Sequence, residues 1–102
     1  MVIPKVLKVG GIPYEVVWTK GLRDHTDCDG MVKFSDQKIL MQKNVPGFVI
    51  ERETQEMIFC HEIVHIVLKH ISEDKLCADE GFVVRFSRCL YEILINNKML
   101  RE

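Results

Sequence analysis

Residues 57–68 read Met-Ile-Phe-Cys-His-Glu-Ile-Val-His-Ile-Val-Leu, and nine of the twelve are apolar. A segment apolar on every side suits a helix that the rest of the chain must cover, so this stretch sets the centre of the fold. Its three polar residues are His61, Glu62 and His65. On an α-helix, at about 100° per residue, His65 lies about 40° round from His61 and one turn further on, and Glu62 about 100° round. All three polar groups therefore share one side of a mostly buried helix. Left unpaired, each would cost on the order of 1–3 kcal/mol. A bound metal removes that cost, because two imidazoles one turn apart hold a Zn²⁺ while a carboxylate that is not a ligand reaches the water beside it. Zinc lowers the pKa of that water to roughly 7, and the carboxylate takes its proton during attack on a carbonyl.

With 102 residues the chain forms a single domain, residues 1–102, with a modest core. Apolar residues make up 47% and charged residues 28%, which suits a globular protein and not a disordered one. The formal net charge of −1 argues against direct binding of nucleic acid or an acidic membrane surface. No apolar run approaches the roughly 18–20 residues that span a bilayer, and the first residues lack the pattern of a signal peptide. A cytoplasmic protein is expected. Cys28, Cys60, Cys77 and Cys89 form no Cys-x-x-Cys pair, and although an even count could mean disulfides, the lack of a secretory signal makes that a weak reading. Cys60 and Cys89 fall in apolar helical patterns as small hydrophobes, and Cys28 and Cys77 are minor candidates for a fourth metal ligand.

Residues 5–9 and 12–18 read as a β-hairpin across Gly10-Gly11, a strong two-residue turn signal. Pro13 suggests that the second strand starts irregularly or lies on an edge at that point. Residues 19–30 read as a polar loop. Within it His25, Asp27, Cys28 and Asp29 match no calcium-loop spacing, and turns favour Asp for backbone reasons. Residues 30–35 and 38–42 form a second hairpin across Asp36-Gln37. The polar run 51–56 opens a helix that ends near His70, residues 72–75 connect, and a last helix spans about 78–97. Phe82, Val83, Phe86, Cys89, Leu90, Ile93 and Leu94 define its expected apolar face. The fold class is α+β: a small antiparallel sheet of about four strands, from two hairpins, followed by two packed helices.

A catalytic zinc usually has three protein ligands. The metzincin spacing is ruled out, since it needs Gly and His where this chain has Leu68 and Ile71. His70 lies about 180° round the helix from His61 and faces away, toward the carbonyls at the helix end. The remaining candidates are Glu73, Asp74, Asp79 and Glu80. Glu80 continues the face of Val83, Phe86 and Leu90 toward the first helix. It is the preferred third ligand, with Asp79 the alternative.

The run from His61 through His65 to His70, followed by Glu80-x-x-Val83-x-x-Phe86-Ser87-x-x-Leu90-Tyr91, resembles the ImmA/IrrE-type metallopeptidases, in particular their minimal phage and mobile-element forms. The likeness covers residues 55–95 specifically. It implies a zincin-like domain and a gluzincin-like Zn²⁺ site of His61, His65 and Glu80, with Glu62 as general base. This chain departs from the pattern in having Val83 where the family has a small Ala, and in a shorter connector.

The expected function is therefore zinc-dependent hydrolysis of a peptide or protein substrate. The substrate would lie extended along an edge strand, either residues 30–35 or 38–42. Tyr14, His25 and Tyr91 have the chemistry to stabilise an oxyanion, although Tyr91 fits the core better. The alternative is a non-catalytic, zinc-stabilised protein-binding module from a phage or mobile element. Glu62 separates the two readings, because a structural zinc gains nothing from a free carboxylate beside its first ligand.

Overall fold

A computed structural model describes residues 1–100, and the class is α+β. Strands β1 (Val6–Val9) and β2 (Ile12–Thr19) form the first hairpin, with Val9 paired to Ile12. Gly10 and Gly11 have φ of 58° and 81°, the left-handed conformation that a two-residue turn of this hand requires. Pro13 falls where β2 has β1 as its neighbour, ahead of the segment from Glu15 onward that pairs on its other side. Strands β3 (Gly30–Lys33) and β4 (Lys38–Gln42) form the second hairpin.

The two hairpins join in a way the expected antiparallel sheet did not include. The strand order is β1-β2-β4-β3, and β2 runs parallel to β4, so the sheet is mixed. A parallel neighbour needs a long crossover, and residues 20–37 supply one. Composition explains which strand goes inside. Ile39 and Met41 of β4 are fully covered, whereas β3 carries Gly30 and an exposed Lys33 and takes the edge.

Part of that crossover is the short helix α1 (Leu22–Thr26), in the segment read as a loop. Five residues are too few for an apolar period to be visible. Leu22 nevertheless anchors the helix in the core, and the buried Gln42 side chain accepts from the Arg23 N–H at 2.8 Å. Asn44 closes the turn after β4 by accepting from the Ile50 N–H at 2.8 Å.

The long helix α2 (Arg52–His70) is enclosed on two sides. Phe59 and Ile66 pack on Tyr14, Val16, Ile39 and Met41 of the sheet. Val64 and Leu68 pack on Val83, Leu76 and Phe82 from beyond it. The connector holds a further turn of helix, α3 (Asp74–Cys77), ahead of α4 (Glu80–Asn96). Among the described residues no helix is long and apolar enough to cross a membrane.

The packed face of α4 is rotated from the apolar face read in the sequence. Val83, Ser87 and Tyr91 are buried, at steps of four, while Phe86, Cys89 and Ile93 are exposed. Two polar residues win this face because each finds an internal partner. The Ser87 hydroxyl donates to the Val84 carbonyl at 3.3 Å, and Ser87's own carbonyl lies 3.7 Å from the Cys60 thiol. The Tyr91 hydroxyl donates to Glu56 Oε1 at 2.6 Å. Once satisfied, a small Ser lets two helices approach closely, which a Phe at that point would prevent.

Candidate metal centre

His61 and His65 project from adjacent turns of α2, and Glu80 reaches them from the first turn of α4. The two histidine Nε2 atoms are 3.2 Å apart, and Glu80 places Oε2 3.1 Å from His61 and Oε1 2.7 Å from His65. These atoms lie within 4.8 Å of one another. Ligands about 2.0–2.1 Å from a tetrahedral ion stand roughly 3.3 Å apart, so the imidazole spacing already suits zinc. The 2.7 Å contact of Glu80 with His65 is shorter than such an edge. Burial holds the His61 pKa below the usual range despite the opposing pull of Glu80, which favours the neutral, metal-binding imidazole.

The preference for Glu80 over Asp79 has a local cause. Asp79 is the N-cap of α4, and its Oδ1 accepts from the Phe82 N–H at 3.0 Å. Its side chain is occupied with the helix, and Glu80, one position later, is free to face α2. Glu73 and Asp74 precede or open α3 and lie outside the cluster.

Cys77 is not among the converged ligand atoms. Its sulfur lies 3.6 Å from His65 Nδ1 and 3.4 Å from the His65 carbonyl oxygen. It therefore touches the ring nitrogen opposite the one facing Glu80, where a neighbour fixes ring orientation and tautomer. Cys77 falls close enough in sequence to be noticed, but the role it takes was not legible there.

Glu62 is 5% exposed and accepts no hydrogen bond from another described residue. Burial, aided by the negative charge of Glu80, pushes its pKa up to about 8. Strand β3 presses against it. A Cβ added to Gly30 would stand 2.5 Å from Ile58 Cγ2 and 3.2 Å from Glu62 Oε2, so Gly30 makes the room in which the carboxylate sits.

A groove of about 770 Å³ opens over this cluster. Its base is α2 from Thr54 to Lys69, one wall is β3 with Cys28 and Asp29, and the other is Asp74, Cys77, Glu80, Val84, Ser87 and Arg88. Of the two strands considered as a substrate edge, residues 38–42 are interior and Gly30–Lys33 is the edge. Gln42 N–H donates to the Asp29 carbonyl at 2.9 Å. By antiparallel alternation Asp29, Met31 and Lys33 then face β4, and Gly30 and Val32 turn their backbone groups to the open side.

The three residues considered for an oxyanion lie elsewhere. Tyr14 is buried on β2, with its hydroxyl 3.4 Å from His70 Nε2. His70 thus meets Tyr14 and the Gly10 turn in place of the helix-end carbonyls. His25 is exposed on α1, and Tyr91 is tied to Glu56. Arg88 and Gly30 had no sequence signal of their own. In comparison with known proteins, the chain matches no family model, no curated protein and no solved structure.

Proposed function

We propose that this chain is a zinc-dependent metallopeptidase acting on an extended peptide or protein segment. Its metal ligands are His61, His65 and Glu80, and Glu62 is its general base. The reading is carried by one juxtaposition: a converged set of three ligand atoms beside a buried carboxylate with no hydrogen-bond donor among the described residues. A zinc ion bound there would polarise a carbonyl and bring the pKa of water to roughly 7. Glu62 takes the proton of the attacking water and delivers it to the departing amine. A neighbouring cation draws its pKa back down from about 8, opposing the effect of Glu80 and readying it to accept that proton. The open edge at Gly30 and Val32 gives a visiting backbone its hydrogen bonds and holds it over the cluster. A cytoplasmic setting belongs to the same reading and suits four cysteines that are free thiols.

The rival, a zinc-stabilised binding module, uses the same ligands but leaves Glu62 buried without a task. Purified protein is expected to hold about one zinc per chain, lost in His61→Ala or His65→Ala. Glu62→Gln is expected to retain the metal and lose cleavage of an unfolded protein such as reduced casein. Cleavage that survives Glu62→Gln rejects the mechanism, and zinc binding without any cleavage favours the rival.

A further inference from the structure

Resting on the peptidase reading for where a substrate lies, we infer that Arg88 selects peptides with a carboxylate on the C-terminal side of the bond to be cut. That carboxylate is either an acidic side chain or the free chain end.

Arg88 follows Glu80 by eight residues on α4, with Val84 between them, so the three share one helix face along the groove wall. At 1.5 Å per residue, Arg88 stands about 12 Å along the helix from Glu80. The direction in which it stands follows from the helix pairing. Cys60 meets Ser87 and Glu56 meets Tyr91, so α4 runs antiparallel to α2 and Arg88 lies level with the first half of α2. Gly30, the first residue of β3, packs over Ile58 and Glu62. Just beyond its other end, the Phe34 ring lies 5.8 Å from the Lys69 ammonium. Strand β3 therefore starts at the Arg88 end of the groove and leaves at the Lys69 end.

A guest that pairs antiparallel with β3, the more stable arrangement, runs the opposite way. Its N-terminal half lies toward Lys69 and its C-terminal half toward Arg88. At about 3.3 Å per extended residue, the roughly 12 Å from Glu80 spans roughly three or four residues, so the carboxylate falls at most that far beyond the metal cluster.

Outside the metal cluster and Glu62, the charged groups of the groove other than Arg88 have ionic partners. Lys69 is 3.7 Å from Asp74. Asp29, the acid at the Arg88 end, lies 3.8 Å from Arg23, an ionic contact beyond hydrogen-bond range that leaves its buried Oδ1 without a hydrogen bond among the described residues. Arg88 has no carboxylate partner among the described residues, and the groove it lines also holds apolar Val84 on its wall and Met57 and Ile58 on its base. A guanidinium fork in such a wall suits a carboxylate that approaches end-on.

The test uses acetylated octapeptides of Ala and Leu, with a Glu or a Gln at each of the last four positions in turn, made as free acids and as amides. Binding to zinc-loaded Glu62→Gln protein is measured by fluorescence anisotropy. At least one carboxylate, from a Glu side chain or the free end, is expected to tighten binding about tenfold or more over its neutral counterpart. The Glu and free-acid arms show which source is preferred. Arg88→Ala should erase the difference, and Arg88→Glu should transfer it to a Lys at the same position. Equal affinities, no binding by any peptide, or a preference that survives Arg88→Ala overturns the inference. Cleavage by wild-type protein separates it from the reading beneath it. Cleavage indifferent to the carboxylate rejects the role of Arg88 and keeps the peptidase. Arg88-dependent binding with no zinc-dependent cleavage does the reverse.

Discussion

Glu56 and Glu62 sit six residues apart on the same helix, and each is 5% exposed. Their surroundings differ completely. Glu56 accepts from Tyr91 at 2.6 Å and from Arg52 Nε at 3.1 Å, and the Met1 amine lies 3.9 Å away. Among the described residues Glu62 has no such donors, and the charge that acts on it is that of another carboxylate, Glu80. A fold that can satisfy one buried acid in full has the means to satisfy the other. The contrast makes Glu56 part of the architecture and leaves Glu62 as the buried acid on which the proposed mechanism depends.

The sharpest way to break this contrast is to remove each charge while keeping its shape. Glu62→Gln is expected to lower peptidase turnover by about 10²–10⁴-fold, the usual worth of a general base, with metal content unchanged. Glu56→Gln is expected to leave turnover of the surviving folded protein unaltered. Its cost falls on stability, about 1–3 kcal/mol in a urea melt, because Tyr91 and Arg52 lose a charged acceptor. A loss of turnover from Glu56→Gln greater than that from Glu62→Gln would invert the assignment.

The pH dependence should separate the same pair. The folded pKa of Glu62, about 8, lies above the ordinary carboxylate value of 4.5. Between those two values the metal-free folded chain holds a proton that the unfolded chain has released, so this residue makes stability fall as pH rises through that window. Glu62→Gln should therefore stabilise the metal-free protein at pH 8 relative to pH 4.5, by up to a few kcal/mol. A flat difference across that range would show that the carboxylate is not desolvated.

Two smaller effects concern the neighbours of the ligands. Cys77→Ala removes the contact at His65 Nδ1 and is expected to weaken zinc retention about tenfold against a chelator, the low end for such partners. Asp79→Ala removes the cap of α4 and should cost about 1 kcal/mol of stability, with Glu80 still able to hold zinc. Weaker zinc binding in Asp79→Ala than in Glu80→Ala would reassign the third ligand.

How much of this could be read from residues alone depends on the range of the interactions. The pairing of His61 with His65 is local, set by helical geometry, and was fully legible. Glu80 was legible because its spacing to Val83 pointed it at α2, although why Asp79 is excluded needed the cap to be seen. The first hairpin was legible from its Gly10-Gly11 turn; the second was placed correctly, but its first strand ends at Lys33 and its turn takes in residues 34–37, longer than the expected Asp36-Gln37. The junction of the two hairpins was not legible, since the parallel contact of β2 with β4 depends on which strand is better buried on both sides, a competition between Ile39-Leu40-Met41 and Gly30-Met31-Val32. The face of α4 was misread for a related reason. Hydrophobic periodicity favours Phe86 over Ser87, and only the partners of Ser87 and Tyr91 overturn that order.

The interior position of β4 has a mechanical consequence. Held on both flanks, it pins the register of β3, so the exposed edge behaves as a fixed ruler and not as a sliding rail. A visiting chain that shifted by one residue would turn its side chains over to the wrong face, leaving two-residue steps as the smallest productive shift. If the proposed peptidase activity holds, the place of scission within a bound segment would be set by counting along a backbone, in pairs, from whichever end is first gripped.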